Sequence, residues 1–419
     1  MIKNKEKLLV KNTIFLYVLT FSNYFFSFIT TPIQTRVLGV ENYGRIGFAT
    51  AFMAYFQIVI EYGFILSATE QVAKNRNDKN KLSQILSEVM SVKIILTILC
   101  LTVVLGVCFF TPKFREDWLL YILVYFSVVL NAFMPDFLYR GLEEMKIITM
   151  RSVIIRIFFT FMIIIFLRKP EDYYLIPILN CVSAIGALAV VYFHVYKKLE
   201  VKFTAVKFNG IWTCFKYSSQ FFLSRIAGTI YSATNTFVLG MVYPTGSAVV
   251  GLFTSADKLV TTSKNCFSPI SDSLYPYMVK NKDFKLVKKV LLLFMPIIIV
   301  GCVGVGIIAQ PLCAWFFGEE FREAGKVLQC LLPIVVITLP EYILGFPTLS
   351  PVGLSKYANY SVVFAACMQI VMLAFLVITH MFNVYTLSIA TSISEGSVLL
   401  YRIFIIIKNK DKFLIGGEN

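Results

Sequence analysis

Charge is scarce in this chain: Asp, Glu, Lys and Arg together make up 15% of its 419 residues. A soluble domain carries roughly 25%, so a single core wrapped in a water-facing surface is excluded. Histidine occurs only twice, as His194 and His380, and both fall near the ends of apolar runs, where an interfacial place suits them better than a proton relay. The nine cysteines stand singly, without a Cys-x-x-Cys pair or metal-ligand spacing. Most lie inside apolar runs and read as small packing residues. Long polar connections are missing as well. No connection has room for a folded basic module, so the net charge of +15 is not a nucleic-acid footprint. A cleavage motif is also absent after the Lys-rich start (Lys3, Lys5, Lys7, Lys11) and the apolar run from about Thr13 to Pro32. That run therefore reads as a retained helix and not as a signal peptide.

What is present is apolar residue in long runs. Hydrophobic residues make up 58% of the chain and the mean hydropathy is +0.74, the composition of an integral membrane protein. About twelve runs reach the length needed for the ~30 Å hydrocarbon core: roughly 12–33, 46–68, 84–110, 118–138, 147–167, 173–195, 215–240, 248–275, 287–309, 325–349, 357–379 and 383–407. Counting from a cytoplasmic N-terminus, the inner connections gather most of the loop Lys and Arg, including Lys74, Arg76, Lys79 and Lys81, the Lys197 to Lys216 segment, and Lys280 to Lys289. This positive-inside bias predicts that both termini are cytoplasmic. Trp118, Trp212 and Trp315 fall near span ends, as interfacial anchors do.

The halves show a short internal similarity. Val37-Leu38-Gly39 precedes Gly47-Phe48-Ala49-Thr50-Ala51, and Val238-Leu239-Gly240 precedes Gly251-Leu252-Phe253-Thr254-Ser255-Ala256. Six spans return the chain to its starting side, so the expected fold is an all-α integral membrane protein with two parallel six-helix repeats around a central cavity. The corresponding domains are 1–205 and 206–419, divided at the Lys-rich segment.

Charges inside the spans require an explanation, because an isolated one at the bilayer centre costs at least roughly 2.5 to 3.5 kcal/mol. Lys93, Arg156, Arg225, Lys258, Lys264 and Arg402 are so placed, as are Glu61, Asp136, Asp257, Asp272, Glu341 and Glu395. The seventh and eighth spans are the most polar. Arg225 lies among Ser224, Thr229, Ser232, Thr234 and Asn235; Lys258 and Lys264 lie among Thr254, Ser255, Asp257, Thr261, Thr262 and Ser263. The candidates for a cationic, anion-receiving cavity are Arg225, Lys258, Arg156, Lys264 and Asn235, with Lys258 more central than Lys264. Each has an ordinary alternative in an ion pair or a cation snorkelling to the surface. Glu61, Asp257 and Asp272 are candidate proton- or sodium-coupling carboxylates, because burial raises the proton affinity of a carboxylate.

The stretch Met134 to Arg156 joins two spans through Pro135, Arg140, Gly141, Glu143, Glu144 and Lys146, and reads as a short charged turn held in water. Pro135-Asp136-Phe137 with Gly141-Leu142-Glu143-Glu144-Met145-Lys146 resembles the corresponding segment of Wzx-type polysaccharide flippases, in the multidrug/oligosaccharidyl-lipid/polysaccharide (MOP) exporter superfamily. Thr31-Pro32 through Arg36-Val37-Leu38-Gly39, Leu66-Ser67-Ala68-Thr69, Phe222-Leu223-Ser224-Arg225 and Ser268-Pro269 extend the resemblance over most of the chain. Glu70 departs from it, standing where many members carry arginine.

The resemblance implies a MOP/MATE-like transporter without a cofactor. It would move an undecaprenyl-diphosphate-linked oligosaccharide across the bacterial cytoplasmic membrane for O-antigen, capsule or a related polymer. Its partners would be that substrate, membrane lipids, and the polysaccharide polymerase and chain-length machinery. Alternatives are a drug or metabolite exporter of the same superfamily, or a membrane-embedded glycosyltransferase or polymerase. The cationic spans argue against the exporter, and the short outer connections against the enzyme.

Overall fold

The computed structural model describes the backbone from Ile2 to Leu414, and the side chains of that range except 2–13, 223–225, 227–232 and 414. Among the described residues every regular element is helical and there is no strand. This follows from the solvent: in hydrocarbon a helix satisfies its own backbone donors and acceptors, and an open sheet edge does not.

The chain forms two compact units, Met1–Thr229 and Ile230–Asn419. The first contains α1 (Ile2–Glu61), α2 (Phe64–Lys74), α3 (Lys79–Phe110), α4 (Pro112–Glu116), α5 (Trp118–Ala132), α6 (Asp136–Gly141), α7 (Met145–Phe166), α8 (Leu175–Lys197) and the first part of α9 (Phe208–Val242). The second contains the rest of α9, α10 (Ala248–Asn281), α11 (Phe284–Ile307), α12 (Ala309–Phe317), α13 (Ala324–Leu344), α14 (Phe346–Leu349), α15 (Ser355–Ile378), α16 (Val384–Lys408) and α17 (Lys410–Leu414). Nine helical stretches among the described residues are long and apolar enough to cross a bilayer. The chain is thus a multi-pass membrane protein. Its apolar residues also face outward: along α11, Leu292, Ile297, Val300 and Ile307 are all exposed, as a lipid-facing helix requires.

The helix breaks are set by glycine, proline and close packing. Gly39, at φ 74° and ψ 173°, interrupts α1, so two helices meet there across a kink. Its counterpart Gly240 is helical, and the second unit breaks later, where Gly246 takes φ 74°. The run predicted over 46–68 is itself divided by Tyr62 and Gly63, at φ 41° and 76°. A Cβ on Gly63 would meet the Phe222 main-chain nitrogen at 2.8 Å, and the Tyr62 ring stacks between Phe215 and Phe222 at 4.5 and 4.7 Å. The first part of α9 is thus fastened to the first unit. So is the Lys-rich segment before it: Lys202 N–H donates to Ser83 Oγ at 3.0 Å and Thr204 N–H to Ser87 Oγ at 2.8 Å.

The segment after Met134 corrects one expectation. Instead of a bare turn in water, residues 136–141 form the short helix α6, with Phe137, Leu138, Tyr139 and Gly141 buried. Asp136 opens it paired with Arg151 at 2.6 Å, and just beyond its end Glu143 pairs with Arg76 at 2.5 Å. Gly141 is required by proximity to α2, since a Cβ there would lie 2.4 Å from Val72 Cγ1.

In the second unit Gly325 meets the same constraint against main chain, its Cβ position being 2.5 Å from both N and Cα of Gln310. Backbone cannot rotate away as a side chain can, so Gly325→Ala is expected to cost about 1–3 kcal/mol. The check is thermal unfolding of detergent-purified protein: the midpoint falls, and an unchanged midpoint contradicts the contact.

Candidate functional site

The second unit holds a group of charges on three packed helices. Asp257, Thr261 and Lys264 lie at i, i+4 and i+7 of α10 and so share one face. The Lys264 ammonium donates to Glu395 of α16, while Asp257 faces Lys258, Lys264 and Glu395. Glu341, near the end of α13, faces the same group. Glu341, Glu395 and Arg402 are all buried.

Arg402 approaches Glu341 without closing on its carboxylate. Its Nη1 stands 3.9 Å from Glu341 Oε1 and donates instead to the Glu341 main-chain carbonyl. Nε donates to Ser361 Oγ at 3.0 Å and Nη2 to the Ala358 carbonyl at 3.5 Å. One guanidinium thereby ties the end of α13 and the start of α15 to α16, with its cation at the carbonyl end of α13, where the helix dipole favours it. Gly345 leaves it room, since a Cβ there would lie 2.7 Å from Nη1.

Asn235 belongs to a buried amide network and not to an open wall. Its Nδ2 donates to Thr391 Oγ1 at 3.1 Å, its Oδ1 accepts from Gln369 Nε2 at 2.7 Å, and Ser394 Oγ donates to Gln369 Oε1 at 2.6 Å. These bonds join α9, α15 and α16. Lys264, likewise, is engaged by Glu395. Lys258 is half-buried beside Asp257. Asp272 is exposed and accepts from Ser268 Oγ at 3.1 Å.

In the first unit the central charge is Lys93, 4% exposed. Its ammonium donates to the Ala132 carbonyl, lies 5.9 Å from the Phe64 ring centre and 5.7 Å from that of Phe137, and faces Glu61 and Asp136. Asp136 also accepts two bonds from Arg151, at 2.6 and 3.1 Å. Glu61 accepts from Gln57 Nε2 at 2.9 Å. Arg156, half-buried on α7, neighbours Tyr24 of α1, and no ion pair joins it to a carboxylate among the described residues. The backbone of α9 runs through Arg225, whose side chain lies outside the described residues. Glu70 pairs with Lys74 at 2.5 Å and takes the Tyr217 hydroxyl at 2.9 Å, a structural use for the residue that departs from the family pattern. No group of three or more His, Cys, Asp or Glu able to hold a metal occurs among the described residues.

Sequence reading named Glu341, Glu395 and Arg402 as charges within spans without joining them to the site. Charge balance was the available signal: Lys264 and Arg402 need carboxylates, and the second half offers few inside spans.

The arrangement has relatives. The chain is 26% identical over 354 residues to a Shigella dysenteriae protein assigned as an O-antigen transporter, covering 83% of this chain and 87% of that one. It is 28% identical over 306 residues, 72% of each chain, to an Escherichia coli K12 protein with the same assignment. Among solved structures, the lipid II flippase MurJ in an inward closed conformation superposes with a TM-score of 0.69 at 13% identity, covering 96% of this chain and 89% of MurJ. An inward-facing MATE multidrug transporter gives 0.68 at 12% identity, covering 94% and 96%. The fold is therefore that of MOP-superfamily transporters. Residues 9–282 match the family described as polysaccharide biosynthesis protein, and since that match spans more than half of the sequence, the chain belongs to this family.

Proposed function

We propose that this protein is a flippase that carries lipid-linked oligosaccharide units, joined to undecaprenyl diphosphate, across the bacterial cytoplasmic membrane for surface polysaccharide assembly. The observation that carries the reading is family membership over residues 9–282, together with relatives assigned as O-antigen transporters. Physical chemistry supports it: a diphosphate and sugars need polar partners throughout the crossing, and charged and amide groups lie inside both units. Transport by alternating access, with both termini in the cytoplasm, belongs to the same proposal, as do coupling to a proton or sodium gradient and delivery to a polymerase with its chain-length machinery.

Of the candidate residues, Arg156, Lys258 and Arg225 are proposed to meet the diphosphate. Lys264 and Asn235 are held by Glu395 and by the amide network, which makes them organisers of the second unit. The test is in cells. At matched membrane levels, Lys258→Ala is expected to cut surface polymer at least tenfold and leave lipid-linked units in the inner leaflet. Unchanged polymer removes Lys258 from the site, and a deletion strain with normal polymer overturns the function.

One feature favours a second reading, the drug or metabolite exporter. The second unit brings Asp257, Glu341 and Glu395 together, and carboxylates suit organic cations. Efflux of a cationic dye by purified protein, with no movement of lipid-linked sugar, would establish it.

A further inference from the structure

We propose that the first unit carries a seat for an anionic phospholipid headgroup, built where α3 begins, α8 ends and the Lys-rich connector 198–207 folds back against α3. The seat does not depend on the flippase reading; only its place in the cytoplasmic leaflet follows from the topology proposed with it.

An open cavity of about 940 Å³ lies at this point, and its walls include Lys79, Asn80, Tyr196, Lys197, Glu200 and Lys202. Three ammoniums meet one carboxylate there. Glu200 is paired with Lys79, whereas Lys197 and Lys202 form no ion pair among the described residues, which leaves two positive charges for an anion. The other acids at this end of α3 are engaged: Asp78 accepts the N–H groups of Asn80 and Lys81 at 3.0 Å, and Glu88 accepts the Gln84 amide at 2.8 Å.

The connector wall is fixed although it has no helix of its own. Glu200, at φ 55°, turns the chain. The buried Val201 then donates its N–H to the Val195 carbonyl at 3.1 Å, and the Ser83 and Ser87 hydroxyls hold the N–H groups of Lys202 and Thr204. A wall arranged in advance loses little freedom when an anion binds.

The setting selects a lipid. The stretches Lys79–Phe110 and Pro170–Lys197 are both long and apolar enough to cross a bilayer, so the cavity marks the end of two spans, at the level of headgroups. Tyr196, Phe203, Phe208 and Trp212 are exposed beside it in sequence, and the rings of Tyr196 and Phe203 meet at 6.3 Å. Exposed aromatic rings at this level sit in the membrane interface, and basic pockets at span ends take anionic headgroups. A soluble anion gains nothing from that aromatic row.

The test is native mass spectrometry of the full chain in detergent, titrated with phosphatidylglycerol or with phosphatidylcholine of the same acyl chains. Native protein is expected to bind phosphatidylglycerol about tenfold more tightly than phosphatidylcholine. Lys197→Ala combined with Lys202→Ala is expected to weaken phosphatidylglycerol binding about 30-fold, from about fivefold per lysine. The charge-matched pair Lys288→Ala with Lys289→Ala, exposed on α11, is expected to leave it within about twofold, because diffuse attraction is screened by salt. If the first pair does not fold, Lys202→Ala alone, whose main chain stays bonded to Ser83, is expected to show the fivefold loss. Equal losses in the two pairs, or equal affinity for the two lipids, overturn the seat. Glycerol phosphate at the concentration of the lipid is expected to leave the bound phosphatidylglycerol in place; displacement assigns the cavity to a soluble anion and overturns the lipid.

Discussion

Arg402→Ala is expected to destabilise the protein by about 3–5 kcal/mol, the cost of removing one member of a buried charged network. The side chain is 6% exposed and bonds the Glu341 carbonyl, Ser361 Oγ and the Ala358 carbonyl. Truncation strips the donor from the Glu341 carbonyl, while the Ser361 hydroxyl and the Ala358 carbonyl keep only their own bond at 2.8 Å, and it leaves Glu341 and Glu395 facing Lys264 as their sole remaining cation among the groups set around Glu341. Arg402→Lys is expected to recover only part of the loss, because an ammonium on a flexible stem does not span three acceptors as a planar guanidinium does. Thermal unfolding in detergent checks this through the order native, Lys, Ala. Equal midpoints for native and Ala would show that α15 and the end of α13 are held by apolar packing alone.

Lys93→Glu is expected to be worse, preventing accumulation of folded protein. It replaces a cation lying over two ring faces with an anion, and aromatic faces attract cations and repel anions. It also sets a third carboxylate beside Glu61 and Asp136 and aims it at the Ala132 carbonyl, an acceptor. Each of these contacts reverses sign. Lys93→Met keeps the apolar stem and loses only the ammonium, and with Asp136 still bound by Arg151 it is expected to yield folded protein. Size-exclusion profiles of the two variants at equal expression decide it: a native-like peak for Lys93→Glu would contradict the placement of the ammonium.

The apolar helical character was legible in the sequence because hydropathy is a local property, and the apolar runs fall largely on helix. Breaks were less so. The predicted run over 46–68 hides the left-handed Tyr62 and Gly63, whose cause is the approach of Phe222, far away in sequence. Gly141 does end α6, as glycine there suggests, but its close contact with Val72 is not visible locally. The charged turn expected after residue 138 hides the short helix α6, because the charges from Arg140 onward outweigh Tyr139 in a local reading.

The candidate site was legible as a set of residues and not as a set of partnerships. Hydropathy alone marks Lys264, Glu341, Glu395 and Arg402 as costly in a membrane. Which of them meet depends on the packing of α10, α13, α15 and α16, whose contacts join residues far apart in sequence. Asn235 shows the converse: a polar residue in an apolar run that looks ligand-ready, yet is consumed by Thr391 and Gln369.

The most direct test of the account is movement of a short-sugar undecaprenyl diphosphate across liposomes containing the purified native protein, with a cationic dye offered in parallel. The account predicts that the lipid-linked sugar reaches the opposite leaflet at a rate well above empty liposomes and that the dye does not move. Dye efflux with a stationary lipid-linked sugar would contradict it and put the exporter reading in its place.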